Sequence, residues 1–233
     1  MGTRTLRPRD AELAFDAISI EGGLLAADWL TKVAQLKAPH QNPADYGVPK
    51  GLELRDEIGR FWRVAQAHWS DFAAGRKAKA DSDALARRFM LTLLREAFGF
   101  TDLEARGGPM DAGHGEPLLE GMGPPGVELG GQQWPLCGLD SAGRVPLAVA
   151  PTPSERRSED KRPALDEPHR HLGEERRKRS AFGLVQEYLN ASDAALWGLC
   201  ADGLTLRLVR DNASLTRPAW VEVDLQRIFA EDL

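Results

Sequence analysis

Three residues have types and spacing that could support metal-dependent hydrolysis of a phosphodiester. That reaction needs carboxylates and a lysine around a divalent cation that activates water. Glu159 and Lys161 are spaced as Glu-x-Lys, and Asp140 lies in an Asp-Ser-Ala-Gly turn between two apolar runs. Because the stretch around Glu159 is almost entirely charged residues and prolines, a chance match is expected there. Asp140, Glu159 and Lys161 are therefore weak nuclease candidates, and we expect no metal site.

A second group of residues could bind the phosphates of DNA, since arginine and lysine supply positive charge and several hydrogen-bond donors. Four basic residues run together before a predicted helix, and three arginines lie on or near the C-terminal hairpin. The candidate DNA-binding residues are Arg176, Arg177, Lys178, Arg179, Arg207, Arg210 and Arg217. The alternative is a solvated charged face, because Glu174 and Glu175 precede the run and partly cancel its charge.

Two weaker patterns have ordinary explanations. His169 and His171 are spaced like a metal-binding pair, but they lie in the same charged stretch, and spacing alone is a weak signal. The segment 121–126 matches Gly-x-Gly-x-x-Gly, but it contains two prolines and no predicted helix follows. The mechanism by which that motif binds phosphate is therefore missing.

The overall composition limits the classes of protein to consider. A chain of 233 residues with 42% hydrophobic and 28% charged residues has room for one large domain or two small ones. The net charge of −5 disfavours general nucleic-acid binding, so any DNA contact needs a local basic patch. No apolar run approaches the roughly 20 residues that span a bilayer. With only two cysteines and no secretory signal, we expect a cytoplasmic protein with no membrane partner.

Hydrophobic periodicity predicts that residues 1–105 are a helical region. Apolar residues recur at helical spacing over 11–19, 24–36, 51–74 and 82–98. Asp81 or Ser82 would cap the last of these helices, and Gly99 would end it. Trp62 and Trp69 lie on the apolar face of the long helix, so we expect them in the core.

Residues 106–233 are predicted to form a small mixed sheet with helices, which makes the whole chain an α+β protein. The Gly- and Pro-rich stretch to residue 131 disfavours helix. Strands are predicted at 133–139, 144–150, 195–200, 204–209 and 220–223, with a helix starting at Ser180. Residues 151–179 are predicted to be a charged, mobile loop.

The last residues predict a further helix, which Asp224 would cap. Leu225, Ile228 and Phe229 begin an apolar face, and the sequence stops at Leu233 inside it. We expect a sequence cut from a longer protein, truncated before a further domain. A natural chain ending on a docked helix is the alternative.

The C-terminal part resembles the region that precedes the methylase domain in large type IIG restriction–modification enzymes. It is also similar to the adenine methyltransferases of BREX and DISARM phage-defence systems. The resemblance is carried by SAFGLVQEYLN (180–190), LWGL (196–199), DGLTLRLVRDN (202–212) and SLTRPAWVEVDLQRIF (214–229). It covers about 50 residues specifically, is weaker over the helical half, where ISIEGGLL (18–25) is similar, and is absent from 151–179.

This resemblance implies a nuclease-like core of the PD-(D/E)xK type, with helices before it and an S-adenosylmethionine-dependent methylase after it. The core would be degenerate, because residues 144–150, the strand expected to carry Glu-x-Lys, contain neither an acid nor a lysine. The methylase's Asn-Pro-Pro-Tyr box is also absent. We therefore expect no cofactor in this segment and S-adenosylmethionine in the parent protein.

The function implied is that of an N-terminal, non-catalytic module of a bacterial DNA adenine methyltransferase. It would position double-stranded DNA, or other defence-system proteins, for the methylase. One alternative is an active magnesium-dependent PD-(D/E)xK endonuclease domain. Another is a stand-alone protein-interaction module without a nucleic-acid role.

Overall fold

The computed structural model describes residues 15–26, 28–107, 123–154, 163–174, 177–211 and 218–231. They form the α+β arrangement with a mixed sheet that the sequence predicts, and helices cover both faces of that sheet. The helices are α1 (Trp29–Ala34), α2 (Leu54–Lys77), α3 (Ser82–Glu96), α4 (Ala181–Ala191) and α5 (Leu225–Glu231). The strands are β1 (Ile18–Glu21), β2 (Leu103–Gly107), β3 (Gly123–Pro125), β4 (Val127–Leu129), β5 (Gln132–Trp134), β6 (Gly138–Asp140), β7 (Pro146–Val149), β8 (His169–Glu174), β9 (Arg177–Arg179), β10 (Gly198–Ala201), β11 (Thr205–Arg210) and β12 (Ala219–Asp224).

The main sheet has eight strands in the order β1-β12-β11-β10-β7-β6-β2-β3. Neighbouring strands are antiparallel except for the pairs β10–β7 and β2–β3, which are parallel. Two further antiparallel ribbons, β4–β5 and β8–β9, lie outside this sheet. The parallel pair β7–β10 is joined by the crossover that contains α4.

One face of the sheet is covered by α2, α3 and α5. Helix α3 begins where the sequence predicts, because the Asp81 carboxylate accepts a hydrogen bond from the Ala84 amide at 2.8 Å. Phe72 of α2 and Phe89 of α3 stack with ring centres 4.4 Å apart. These rings pack with Leu147 of β7 in one apolar cluster, against which Trp62 and Trp69 also pack. Both tryptophans are partly buried, so the expectation of core positions is confirmed in part.

The opposite face is covered by α4. The Ser180 hydroxyl accepts a hydrogen bond from the Gly183 amide at 2.9 Å and caps the helix. Leu184, Val185 and Leu189 are buried against the sheet. The side chains of β7 alternate between the two faces, as a strand buried on both sides requires.

The prediction of a helix over 11–19 is wrong for residues 15–19, which form a turn and the start of a strand, while residues 11–14 lie outside the described residues. Ile18–Glu21 form strand β1, which pairs with β12 so that Ile18 lies opposite Val223. A strand partner two hundred residues away overrides the local helical spacing. The helix predicted over 24–36 is limited to α1. The proposed boundary between residues 105 and 106 falls inside β2.

The prediction of a solvated loop over 151–179 is wrong for residues 163–174 and 177–179. Leu165, in a short 3-10 helix at Ala164–Asp166, and Leu172, in β8, are fully buried beside α4. Burial of these two leucines fixes a segment whose other residues are mostly polar. Residues 155–162 and 175–176 lie outside the described residues.

Within the described ranges, no helix combines the length and the hydrophobicity needed to cross a bilayer.

Candidate functional site

Strand β7 is where the resemblance would place a Glu-x-Lys pair, and its described side chains are all apolar. Ala148 and Ala150 face α4, while Leu147 and Val149 face α2 and α3. All four are fully buried. The strand therefore offers no metal ligand and no lysine, and its alternate positions are filled by core packing on both faces.

Asp140 is at the end of β6, where its carboxylate holds the turn into β7. It accepts hydrogen bonds from the amides of Arg144 and Val145, the latter at 2.7 Å, and from the Arg144 Nε at 3.2 Å. Burial acts to raise the pKa of Asp140, but these donors outweigh it and lower the pKa overall. Only 3% of the residue is exposed. Its donors are all from the turn, which explains its position without a metal.

Glu159 and Lys161, the other two nuclease candidates, lie outside the described residues. Among the residues that are described, no group of three or more His, Cys, Asp or Glu side chains is arranged to hold a metal ion. The Nε2 of His169 lies 3.1 Å from the Ala164 carbonyl oxygen and donates a hydrogen bond to it. This ring nitrogen is therefore occupied by the backbone.

The basic run before α4 is divided in the structure. Arg176 lies outside the described residues, and Arg177 lies in β9 opposite Glu174. Lys178 is exposed. Arg179 is buried, with its Nε 3.1 Å from a Glu187 carboxylate oxygen and its guanidinium 5.7 Å from the Trp134 ring centre. Among the side chains of this run that the structure describes, Lys178 is at the surface and Arg179 is not.

Arg207, a DNA-binding candidate from the sequence, lies in the interior of the molecule. Two of its nitrogens contact both carboxylate oxygens of Asp166, at 2.7 and 3.0 Å, and the guanidinium also contacts Glu222. It lies over the rings of Phe182 and Trp220, 4.7 and 4.9 Å from their centres, and these two rings contact each other with their centres 5.3 Å apart. Only 4% of Arg207 is exposed. These contacts argue against a phosphate contact by this arginine.

The Arg207 cluster is electrically compensated. Burial alone would lower the pKa of Arg207, but the carboxylates of Asp166 and Glu222 outweigh it and raise the pKa, so the guanidinium stays charged. A bidentate carboxylate pair of this kind fixes side-chain orientation as well as charge. Arg207 thereby ties the segment 163–174 to β11 and β12.

Arg210, three residues further along β11, is exposed. Its guanidinium lies 5.3 Å from the centre of the Trp197 ring. Trp197 immediately precedes β10 and is half-buried, while its neighbour Leu196 is 52% exposed. Arg217, the remaining candidate, lies outside the described residues. The sequence analysis missed Trp197, although a tryptophan directly before a strand opposite an arginine is a visible signal of a cross-strand contact.

An open groove runs along the outer side of α4, which the sequence analysis also missed. It is lined by Gly183, Gln186, Glu187, Asn190 and Ala191. The carboxylate of Asp211 accepts hydrogen bonds from the side-chain amides of Gln186 and Asn190, at 3.1 and 3.3 Å. These contacts hold the end of β11 against α4.

The two cysteines are unsuited to nucleophilic chemistry. Burial raises the pKa of the Cys137 thiol to about 12 and raises the pKa of Cys200 as well. Both side chains are packed among apolar residues on the two faces of the sheet.

Comparisons with protein families, with curated proteins and with solved structures found nothing that matches this chain.

Proposed function

We propose that this chain is a non-catalytic, nuclease-like module that positions duplex DNA for an adenine methyltransferase of a bacterial restriction or phage-defence system. The observation that carries the proposal is the order α3, β2, β6, β7, α4, β10. Leaving out β3, β4, β5, β8 and β9, three strands that are antiparallel neighbours in the sheet are followed by a helix and by a strand parallel to the third. This order is compatible with the PD-(D/E)xK-type core that the sequence resemblance implies.

The apolar character of β7 supports a scaffold role over catalysis. A working nuclease of this type needs acidic and basic side chains on that strand, and its α4-facing positions hold Pro146 and Ala148, with Ala150 directly after the strand. Asp140 is held by backbone amides of the turn between β6 and β7. The core is therefore proposed to persist as a scaffold for binding.

The S-adenosylmethionine site and the methylase are proposed to lie outside this chain. The Gly-x-Gly-x-x-Gly segment at 121–126 is the only part of the sequence resembling a cofactor loop. Residues 123–125 form β3, and the next element is the strand β4, so no helix N-terminus follows to receive a phosphate.

The proposal is tested by measuring how the chain binds a fluorescently labelled DNA duplex across a series of salt concentrations. We expect the logarithm of the association constant to fall linearly with the logarithm of salt concentration, because cations that contact phosphates release counterions. Failure to bind DNA at every salt concentration tested, or an affinity that does not depend on salt, contradicts the proposal and favours the protein-interaction alternative.

A supercoiled plasmid incubated with the same protein and magnesium distinguishes the scaffold from an active nuclease. We expect no nicking. Magnesium-dependent nicking that is lost in Lys161→Ala, and retained in a control such as Lys32→Ala on α1, would establish the nuclease alternative instead.

A further inference from the structure

Two arginines and a tryptophan lie at one end of three neighbouring strands, β11, β10 and β7, in the middle of the main sheet. Leu199 of β10 is the parallel partner of Leu147 in β7, so Trp197 lies beside Val145. Gly198 is the antiparallel partner of Val209 in β11, so Trp197 lies opposite Arg210. Arg144 precedes Val145 in the turn before β7. We refer to Arg144, Trp197 and Arg210 as the edge row.

The contact between Arg210 and Trp197 orients a cation at the surface. At 5.3 Å from the ring centre, the guanidinium is attracted to the indole face. A guanidinium that rests on an aromatic ring still has N–H donors in its plane that can reach a ligand. Such a planar set of donors matches the oxygens of a phosphate group. Trp197 therefore reduces the freedom that Arg210 would lose on binding an anion.

Arg144 contributes a second exposed cation to the edge row. Its side chain is 63% exposed, and it contacts the nearly buried Asp140 through Nε at 3.2 Å. Asp140 is in turn held by two backbone amides of the turn. The arginine therefore extends from a turn whose geometry is fixed by its own hydrogen bonds.

The nearest acidic residue along β11 faces away from the edge row. Asp211 follows Arg210 directly, so its side chain is directed to the opposite face of the sheet, where it binds Gln186 and Asn190 of α4. This arrangement separates the Arg210 charge from the adjacent carboxylate. A chain of net charge −5 needs exposed cations such as Arg210 in order to contact a polyanion.

We propose that the edge row binds the phosphodiester backbone of duplex DNA, with Arg144 and Arg210 contacting phosphates and Trp197 positioning Arg210. Arg210 ends β11 and Arg144 lies in the turn that leads into β7; these two strands lie on either side of β10, so the two backbones are about 10 Å apart. Arginine side chains can adjust that spacing to two phosphates on one face of a duplex. The inference rests on the proposed function, because it identifies where the DNA is bound.

The test compares duplex affinity and its salt dependence in four single variants, one double variant and a matched control. Arg144→Ala and Arg210→Ala are each expected to weaken binding about tenfold. Each should also lower the slope of log affinity against log salt by about 1, since one phosphate contact is lost. Arg88→Ala removes an exposed arginine from α3 and is expected to change neither quantity.

The positioning role of Trp197 is tested without changing the charge of the protein. Trp197→Ala is expected to weaken binding several-fold, and Trp197→Phe should retain most of the affinity because an aromatic face remains. In the double variant Trp197→Ala with Arg210→Ala, the two losses should not add, because both act through the same phosphate contact. Full additivity overturns the positioning role. Thermal unfolding of every variant, followed by circular dichroism, ensures that folded proteins are compared.

The possible failures are distinguishable. If the unaltered chain binds duplex DNA with a salt-dependent affinity but Arg144→Ala and Arg210→Ala behave like Arg88→Ala, the edge row is overturned and the proposed function stands. If the unaltered chain does not bind duplex DNA at all, both fail. Stronger binding of single-stranded DNA that is lost in Trp197→Ala overturns the assignment to a duplex, since it indicates base stacking on the indole.

Discussion

Individual charged residues in this protein are positioned by donors and acceptors that their residue type alone does not reveal. Arg207 reads from the sequence as one of several surface arginines on a hairpin, yet Asp166 and Glu222 enclose it. Asp140 reads as a possible metal ligand, yet its donors come from its own turn. The partner of a charge therefore decides its role more than its residue type does.

Replacing Asp140 with asparagine tests the role of its charge in the turn. We expect Asp140→Asn to lower the free energy of unfolding by about 1 kcal/mol at neutral pH, because the two amides and Arg144 lose a charged acceptor. Urea denaturation measures the difference. Asp193→Asn, at an exposed aspartate in the loop before β10, is the control and should have little effect.

The pH dependence of that difference follows from the lowered pKa of Asp140. A carboxyl whose pKa is lower in the folded state contributes stability that is fully present above its unfolded pKa, near 3.8, and is lost as the pH falls through the folded value. The difference in the free energy of unfolding between the native protein and Asp140→Asn should therefore become smaller below about pH 3.8. A gap that widens on acidification contradicts this assignment.

The turn between β10 and β11 shows how a short element is fixed by its surroundings. Asp202 is 1% exposed and accepts hydrogen bonds from the amides of Leu204 and Thr205, at 3.0 and 2.8 Å, and from Leu165 at 3.4 Å. Burial raises the pKa of Asp202 although these amides oppose the rise. The Asp-Gly pair thus connects the hairpin to the segment 163–174 as well as forming its turn.

Gly203 in this turn is expected to be intolerant of a side chain. Its φ is +82°, and an added Cβ would lie 2.7 Å from the Phe72 ring and 2.8 Å from the Thr152 hydroxyl. Gly143 has a similar φ of +71° with nothing within 4 Å of the added atom. Gly143→Ala should therefore cost about 1 kcal/mol of unfolding free energy from backbone strain alone.

Gly203→Ala combines the same strain with a collision against the core, so we expect it to cost at least 1 kcal/mol more than Gly143→Ala. Equilibrium denaturation of the two variants measures the difference. Equal losses would mean that Phe72 and Thr152 move aside without cost.

Local patterns predict the elements that local interactions stabilise. Helices α2, α3 and α4 follow from apolar periodicity and from the caps Asp81 and Ser180, and the hairpin of β10 and β11 follows from its Asp-Gly turn. Strand β1 and the segment 163–174 could not be found in this way, because one depends on pairing with β12 and the other on burial of two leucines beside α4. The sequence identifies candidate phosphate-binding residues by type, but it does not show which of their side chains are exposed.

At the scale of the whole molecule, aromatic rings connect the last described helix, α5, to the long helix α2. Phe229 of α5 stacks on Trp62 and Trp69 of α2, with ring centres 5.1 and 4.9 Å apart and planes within 2° and 13° of parallel. The two tryptophans lie seven residues apart, which is two helical turns, so one phenylalanine bridges them. Helix α5 is thereby packed onto the long helix of the front half.

Removal of this ring should weaken the whole fold. We expect Phe229→Ala to lower the free energy of unfolding by about 1–3 kcal/mol, because two stacked pairs and their buried area are lost. Tryptophan emission should shift to longer wavelength as Trp62 and Trp69 gain contact with water. Phe98→Ala, at a phenylalanine that is 49% exposed, is the control and should cost well under 1 kcal/mol. Equal losses in the two variants would contradict the bridging role.

The pairing of β1 with β12 imposes an order on events during protein synthesis. Val223 is translated 205 residues after Ile18, its partner in the sheet. At roughly 5–20 residues per second, the ribosome needs about 10–40 s to make the strand that β1 requires. Helices α2 and α3 and the β6–β7 hairpin can form within that interval from neighbouring segments. The first strand of the sheet to be synthesised is thus among the last to be paired, and the nascent chain carries an incomplete sheet edge until β12 has left the ribosome.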